Sequence, residues 1–187
     1  MEVLEKKMTV KEYLQLELPD DANYRYELIN GILVKKNAPS GTHQNIQAKL
    51  LEQFIMHIFP NKAGRIFSSP ISVFFDRDQN SAPQPDLVFL KTENLEIFDA
   101  EFGIVGVPDL MIEIVSPSSF KRDTVIKKNL YEKHGIQEYW VVFPSYQSIQ
   151  VFTLKNGEYV VHDVFEMGDK LTSEVLQGFS LEVEKVF

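Results

Sequence analysis

Two carboxylates stand on segments of the sequence that are otherwise apolar. Glu113 lies inside Leu-Met-Ile-Glu-Ile-Val (110–115), and Asp86 directly precedes Leu-Val-Phe-Leu (87–90). A carboxylate in the middle of a buried strand costs free energy unless it has a partner. If the two strands are neighbours, the carboxylates converge, and at ~4 Å in an effective dielectric near 20 they repel by about 4 kcal/mol. A divalent cation relieves that repulsion, so the pattern predicts a metal site formed by Asp86 and Glu113.

The ligand types narrow the choice of metal. The chain has no cysteine, which excludes disulfides and thiolate zinc sites. Oxygen ligands suit Mg²⁺ or Mn²⁺, and such an ion binds phosphate and activates water. The alternative is that Glu113 pairs with a lysine or arginine or lies at a wet strand end, and spacing alone does not decide between the two. Asp109 also follows a proline, but it lies more than about 10 Å from Glu113 along an extended strand.

The elements that position these residues follow from apolar periodicity. Asp109, Met111, Glu113 and Val115 share one face of the strand at 108–115, because side chains alternate along a strand. A second signal is a four-residue spacing of apolar side chains, typical of an amphipathic helix: Ile46, Leu50, Phe54 and Ile58. The sequence predicts helices at 10–18, from Ser40 to about 59 and at 123–134, and strands at 24–29, 32–35, 71–75, 85–90, 108–115, 138–143, 149–154 and 159–165. This order predicts an α/β protein with a mixed sheet covered by helices.

Length and charge limit the classes of protein to which this chain can belong. The 187 residues suit a single domain over 1–187, with an N-terminal helical part (1–22), a core (23–143) and a β-rich tail (144–187). The 19 basic and 27 acidic residues give a net charge of −8, which weighs against a broad basic surface that coats nucleic acid. The charged N-terminus lacks the apolar core of a signal peptide, and no segment has the length of a membrane helix. We therefore expect a cytoplasmic protein with no membrane partner.

The order of these segments resembles the PD-(D/E)xK nuclease superfamily, and the whole chain more closely resembles the Uma-two family of restriction-endonuclease-like proteins. The match covers roughly residues 9–155. The segments that carry it are Tyr26-Glu-Leu-Ile-Asn-Gly31, Ser40 with His43, Gln84-Pro-Asp-Leu-Val88, Pro108-Asp-Leu-Met-Ile-Glu-Ile-Val-Ser-Pro-Ser118, Arg122-Asp123, Lys127, Tyr131, Gly135 and Glu138-Tyr-Trp-Val-Val142. The resemblance implies a restriction-endonuclease-like αβββαβ core.

The resemblance also implies roles for four residues. Asp86 and Glu113 would bind Mg²⁺, and Glu27 would complete the metal shell directly or through water. The superfamily pattern has a lysine two positions after Glu113, where this chain has Val115; in this family the lysine lies on the following helix, where Lys127 stands. From the residues alone, Glu27 is also compatible with a solvent-facing hairpin position. Lys127 is likewise compatible with a surface ion pair to Asp123, four residues away.

The functional expectation is a Mg²⁺-dependent endonuclease that hydrolyses DNA, with Lys127 supporting the charge that develops on the phosphate. The alternatives are a catalytically inactive binding or scaffold member of the same fold, and a metal-dependent hydrolase of a smaller phosphate ester. We also expect a homodimer, because a duplex has two strands to cut, with an apolar patch on the tail formed by Ile149, Phe152 and Val160. A lone His43 near a helix start is more often structural than catalytic.

Overall fold

The computed structural model describes residues 7–18, 24–76 and 78–187 of the chain. Its helices are α1 (Val10–Leu14), α2 (Gly41–Asn61) and α3 (Lys128–His134), with a π-helical segment at Arg122–Lys127 directly before α3 and 3₁₀ turns at Thr92–Ile97 and Val183–Lys185. Its strands are β1 (Tyr24–Ile29), β2 (Ile32–Asn37), β3 (Gly64–Ser68), β4 (Val73–Phe74), β5 (Leu87–Lys91), β6 (Phe98–Asp99), β7 (Gly103–Val105), β8 (Leu110–Ile114), β9 (Glu138–Phe143), β10 (Ser148–Lys155), β11 (Glu158–Phe165), β12 (Lys170–Thr172) and β13 (Ser180–Glu182).

A six-stranded mixed sheet forms the centre, in the order β11-β10-β9-β8-β5-β3. Strands β8 and β9 run parallel, and β5 runs antiparallel to β8. Every residue of β8 is buried, because the strand lies inside the sheet and both of its faces are covered. The predicted fold class, a mixed sheet flanked by helices, is confirmed.

The two faces of the sheet pack against different helices. On one face, Ile112 and its alternate neighbours contact the four predicted apolar residues of α2, all of which are buried. On the other face, Met111 and Val115 pack with Leu130 and Tyr131 of α3. Glu113 has the same parity as Met111 and Val115, so the sheet directs its side chain to the α3 side.

One strand of the central sheet differs from the prediction. The segment predicted at 71–75 forms only β4, which belongs to a separate three-stranded sheet with β7 and β6. Its expected place is taken by β3, which pairs antiparallel with β5. Gly64 allows this pairing: its φ is +148°, and a Cβ there would lie 1.9 Å from the carbonyl oxygen of Leu90. The αβββαβ core is therefore α2, β3, β5, β8, the π-helical segment with α3, and β9.

The N-terminal helix is shorter than predicted. The capping box is present, with Thr9 and Glu12 bonded reciprocally, but α1 ends at Leu14. The predicted stop at residues 19–21 lies outside the described residues. Within the described ranges, no helix is long and apolar enough to cross a membrane.

The apolar patch predicted on the tail is wrong for two of its three residues. Strands β10 and β11 form the predicted hairpin, but β10 is paired on both sides, by β9 and β11. Ile149 and Phe152 are therefore buried in the core, and only Val160 is exposed. The homodimer remains a prediction without this patch.

The packing of α2 predicts a sharp contrast between two phenylalanines. Phe54 is fully buried, with its ring centroid 4.8 Å from that of Phe179 and 5.4 Å from that of Trp140. Phe54→Ala is expected to lower the free energy of unfolding by about 3–5 kcal/mol, because it leaves a cavity. Phe59 on the same helix is 76% exposed, and Phe59→Ala is expected to change it by less than about 0.5 kcal/mol. Urea unfolding measures both, and similar losses would contradict the packing described.

Candidate active site

The candidate site lies at one edge of the central sheet. Because β8 and β9 are parallel, they end at the same edge, and the antiparallel strand β5 begins there. Glu113 is one residue from the end of β8, and Asp86 directly precedes β5. Ligands of open α/β sheets bind at the carboxyl ends of the strands, so the topology brings both carboxylates to the edge where a ligand is expected.

A cavity of about 580 Å³ opens at this edge, and both Asp86 and Glu113 line it. This volume falls within the roughly 300–1,000 Å³ of small-molecule sites. Four cationic side chains also line the cavity: Arg25, Lys35, Lys36 and Arg122. The chain is acidic as a whole, yet this cavity combines three carboxylates, of Asp86, Glu113 and Asp123, with a cluster of positive charges.

Helix α2 fixes Asp86 from one side. Nε2 of His43 lies 3.1 Å from Oδ2 of Asp86, and the backbone N–H of Ile114 donates to the same oxygen at 2.7 Å. Gln47, one helical turn after His43, donates to the backbone carbonyl of Asp86. Burial by itself raises the pKa of Asp86, but the hydrogen bond from His43 and the charge of Lys36 lower it below the ordinary value. Asp86 is therefore held ionised.

Glu113 is fixed from the other side by a buried lysine. Nζ of Lys127 lies 2.7 Å from Oε1 of Glu113 and 2.8 Å from Oε2 of Glu27, and none of Lys127 is exposed. The hydroxyl of Tyr131 donates to Oε1 of Glu113 at 2.8 Å. Lys127 is the last residue of the π-helical segment, a type of turn that is frequent at functional sites. This turn delivers the ammonium between a carboxylate of the sheet and one of the β1–β2 hairpin.

The buried carboxylates of Glu113 and Glu27 share the ammonium of Lys127. The pKa values of Glu113 and Lys127 are both shifted from their ordinary values. Burial raises the pKa of Glu113 to about 7; Lys127 opposes this rise, whereas Asp123 and Asp86 add to it. Burial by itself lowers the pKa of Lys127, but Glu113 and Glu27 outweigh it and raise the pKa above its ordinary value. Lys127 is thus permanently charged, and Glu113 gains or loses a proton near neutral pH.

The donor set fits a divalent cation. Oδ1 of Asp86 and Oε2 of Glu113 accept no hydrogen bond from the described part of the chain, and both residues line the cavity. Among the described residues, no group of three or more His, Asp or Glu side chains is arranged to hold a metal. Mg²⁺ commonly binds through one or two carboxylates together with water and substrate phosphates. The two carboxylates therefore suit an ion of this kind, and they do not form a complete protein cage.

Comparison with known proteins identifies the family of the chain and a structure with a similar fold. The model of the Uma2 family, described as "Putative restriction endonuclease", matches residues 10–184. The chain belongs to this family. Its fold is similar to the crystal structure of "a putative nuclease belonging to DUF820 from Anabaena variabilis ATCC 29413", with a TM-score of 0.76 and 23% identity over 96% of this chain and 97% of that one. None of the curated proteins compared with it matches.

The structure brings the four predicted site residues of this Uma2 protein together, in two layers. Asp86 and Glu113 line the cavity, whereas Lys127 and Glu27 lie behind Glu113 and do not line it. The surface alternatives for Lys127 and Glu27 are wrong, because both side chains are fully buried. Asp109 lies at the opposite end of β8, where the backbone N–H of Lys91 donates to it at 2.8 Å. The catalytic and metal-binding roles remain predictions.

Sequence reasoning missed three residues of the site. His43 was expected to be structural, yet it holds the carboxylate of Asp86. Gln47 carried no signal except its spacing of four from His43, which places both on one helix face. Tyr131 entered only through the family resemblance, although its spacing of four from Lys127 also places it towards Glu113.

Removing the shared ammonium is expected to destabilise the protein. Lys127→Met removes the cation bound to the buried Glu113 and leaves Glu27 with only its longer contacts to Arg122 and Lys36. A loss of about 3–5 kcal/mol in the free energy of unfolding is expected. Lys128→Met is the matched control: Lys128 is partly exposed, and its Nζ lies 3.9 Å from Glu132, so its loss is expected to stay below about 1 kcal/mol. Urea unfolding of both variants checks this, and equal losses would refute the role given to Lys127.

The raised pKa of Glu113 predicts a pH-dependent stability. Because the pKa rises from 4.5 to about 7 on folding, the folded state holds this proton more tightly than the unfolded chain. Its contribution to stability is complete below the unfolded value and is lost as the pH rises through about 7. Between about pH 5.5 and 8, without divalent metal, the wild type is expected to lose about 2 kcal/mol relative to Glu113→Gln. Urea unfolding at both pH values measures this. Equal changes in the free energy of unfolding of the wild type and of Glu113→Gln would contradict the prediction.

Proposed function

We propose that this Uma2 protein is a Mg²⁺-dependent endonuclease that hydrolyses phosphodiester bonds of DNA. The observation that carries the proposal is the presence of Asp86 and Glu113 in one cavity lined by cations, each with an oxygen that accepts no hydrogen bond from the described residues. Family membership supports a nuclease-like function. The DNA substrate and the use of Mg²⁺ belong to the proposal.

The cationic residues of the cavity explain how a protein with a negative net charge can bind phosphate. Arg25, Lys35 and Lys36 come from the β1–β2 hairpin, and Arg122 comes from the π-helical segment. Positive charges that line a cavity focus attraction on an anion there, even when the net charge is −8. Arginine in particular binds phosphate through two parallel hydrogen bonds. We infer that a strand of nucleic acid contacts the protein locally, over this cavity.

Each residue has a distinct role in the proposed mechanism. Asp86 and Glu113 would hold Mg²⁺, which when bound neutralises charge on the phosphate and makes water more acidic. His43 orients Asp86 through its Nε2 contact. Lys127 and Tyr131 hold one oxygen of Glu113 and leave the other directed to the cavity. Because Lys127 does not line the cavity, we assign it to positioning Glu113, with Glu27 as its second counterion.

Cleavage assays test the proposal. Plasmid DNA, single strands and a model phosphodiester are incubated with Mg²⁺ or Mn²⁺, and the wild type is expected to cleave DNA. Asp86→Asn and Glu113→Gln are each expected to lower the rate by at least about 100-fold, since each removes a charge at the reacting phosphate. His43→Ala is expected to lower it by about 10–100-fold, as for other residues that orient a metal ligand.

Asp109→Asn is the matched control, because Asp109 is also a buried carboxylate near β8 but lies at its other end. It is expected to cleave at close to the wild-type rate, and circular dichroism verifies that each variant is folded. Cleavage that persists in folded Glu113→Gln would overturn the proposed site. If only the model phosphodiester is hydrolysed, the protein is a hydrolase of smaller phosphate esters. If DNA is bound but not cleaved, the protein is a catalytically inactive binding module.

A further inference from the structure

A second, smaller cavity adjoins the candidate site and has a different chemistry. Its volume is about 180 Å³, below the roughly 300–1,000 Å³ of sites for whole small molecules. Among the residues that the structure describes, no charged side chain lines it. Three aromatic residues dominate its lining: Phe120, Phe143 and Tyr146. A space of this size and character suits one flat apolar ring system.

The aromatic side chains form a cluster that faces solvent. Tyr146 is 75% exposed and Phe120 is 51% exposed. The ring centroid of Phe143 lies 6.1 Å from that of Phe120 and 6.3 Å from that of Tyr146, within the range of aromatic pairing. The three come from separate segments: the start of the helical region after β8, the end of β9 and the β9–β10 turn. These exposed rings offer a face on which another flat ring can stack.

The small cavity lies directly beside the large one. Ser116 and Pro117, which follow β8, line both. The large cavity presents cations and carboxylates, and no Phe, Tyr or Trp lines it, whereas the small one presents aromatic rings without charge. A nucleotide has this same division, because a charged phosphate is covalently joined to a flat heterocycle. The two chemistries meet at Ser116 and Pro117, as a nucleotide requires.

We propose that Phe120, Phe143 and Tyr146 stack an unpaired nucleobase of the strand whose phosphate lies in the large cavity. This inference rests on the proposed function and narrows its substrate class. In a duplex each base is paired and stacked on its neighbours, so its face is not available to a side chain. A stacked base therefore requires a single strand, a frayed end or a flipped nucleotide. The preferred substrate is nucleic acid with unpaired bases.

Binding of labelled DNA tests this without requiring cleavage. The probe is a fluorescein-labelled single strand of about 12 nucleotides, a length within the site sizes of single-strand binders. It is titrated with protein in buffer that contains Ca²⁺, and its affinity is measured. The wild type is expected to bind it more tightly than a duplex of equal length. Tyr146→Ala and Phe120→Ala are each expected to weaken this binding by about tenfold, because each removes a stacking surface. Tyr146→Phe keeps the ring and is expected to bind like the wild type.

A second readout reports on stacking itself. The fluorescence of 2-aminopurine falls when the base stacks, so a strand that carries it is expected to be quenched by the wild type and not by Tyr146→Ala. Phe102→Ala is the control, because Phe102 is 56% exposed but lines neither cavity; it is expected to bind and quench normally.

The outcomes separate this inference from the proposed function. Equal affinity and quenching in wild type, Tyr146→Ala and Phe120→Ala would overturn the inference. Cleavage that depends on Asp86 and Glu113 would then still support the nuclease. A wild type that binds no strand and cleaves none would overturn both. Tighter binding of duplex than of single strand would also overturn the preference for unpaired bases.

Discussion

The buried ammonium of Lys127 is the contact on which the rest of the site depends. It joins Glu113 of the central sheet to Glu27 of the β1–β2 hairpin and itself belongs to the π-helical segment. A buried ion pair repays its desolvation only with close geometry, and both contacts are shorter than 3 Å. The three elements therefore cannot shift independently. A two-stranded hairpin is marginal alone, and this contact docks it so that its cations face the cavity.

The two carboxylates in the cavity differ in how their pKa values respond to burial. Hydrogen bonding from His43 and the charge of Lys36 outweigh burial and lower the pKa of Asp86, whereas burial raises that of Glu113 to about 7. Pairs of titratable groups with pKa values moved apart are typical of active sites. Asp86 keeps a constant charge, so it anchors a cation at any physiological pH. Burial brings the pKa of Glu113 to about 7, so the charge of the site varies through Glu113.

Local periodicity explains which parts of the fold were predictable. The four-residue spacing on α2 and the strand patterns at 149–154 and 159–165 are local signals, and both predictions hold. The segment at 71–75 has a strand pattern that suits any sheet, and the choice of sheet depends on Gly64 and its contact with Leu90. The contact of His43 with Asp86 spans 43 residues, and no local pattern records it. Lys127 entered through family resemblance, because a buried lysine has no signature of its own.

The position of the lysine also shapes the second cavity. In the PD-(D/E)xK pattern the residue two after the glutamate is a lysine on the same strand, and here it is Val115, which is 8% exposed. Lys127 instead reaches Glu113 from the helix, on the side away from the cavity, and is balanced there by Glu27. The strand position is thereby free to be apolar, and Val115 lines the small aromatic cavity. A lysine at that position would place a charge between the phosphate and base parts of the proposed nucleotide site, whereas a lysine on the helix leaves the boundary between the two cavities uncharged.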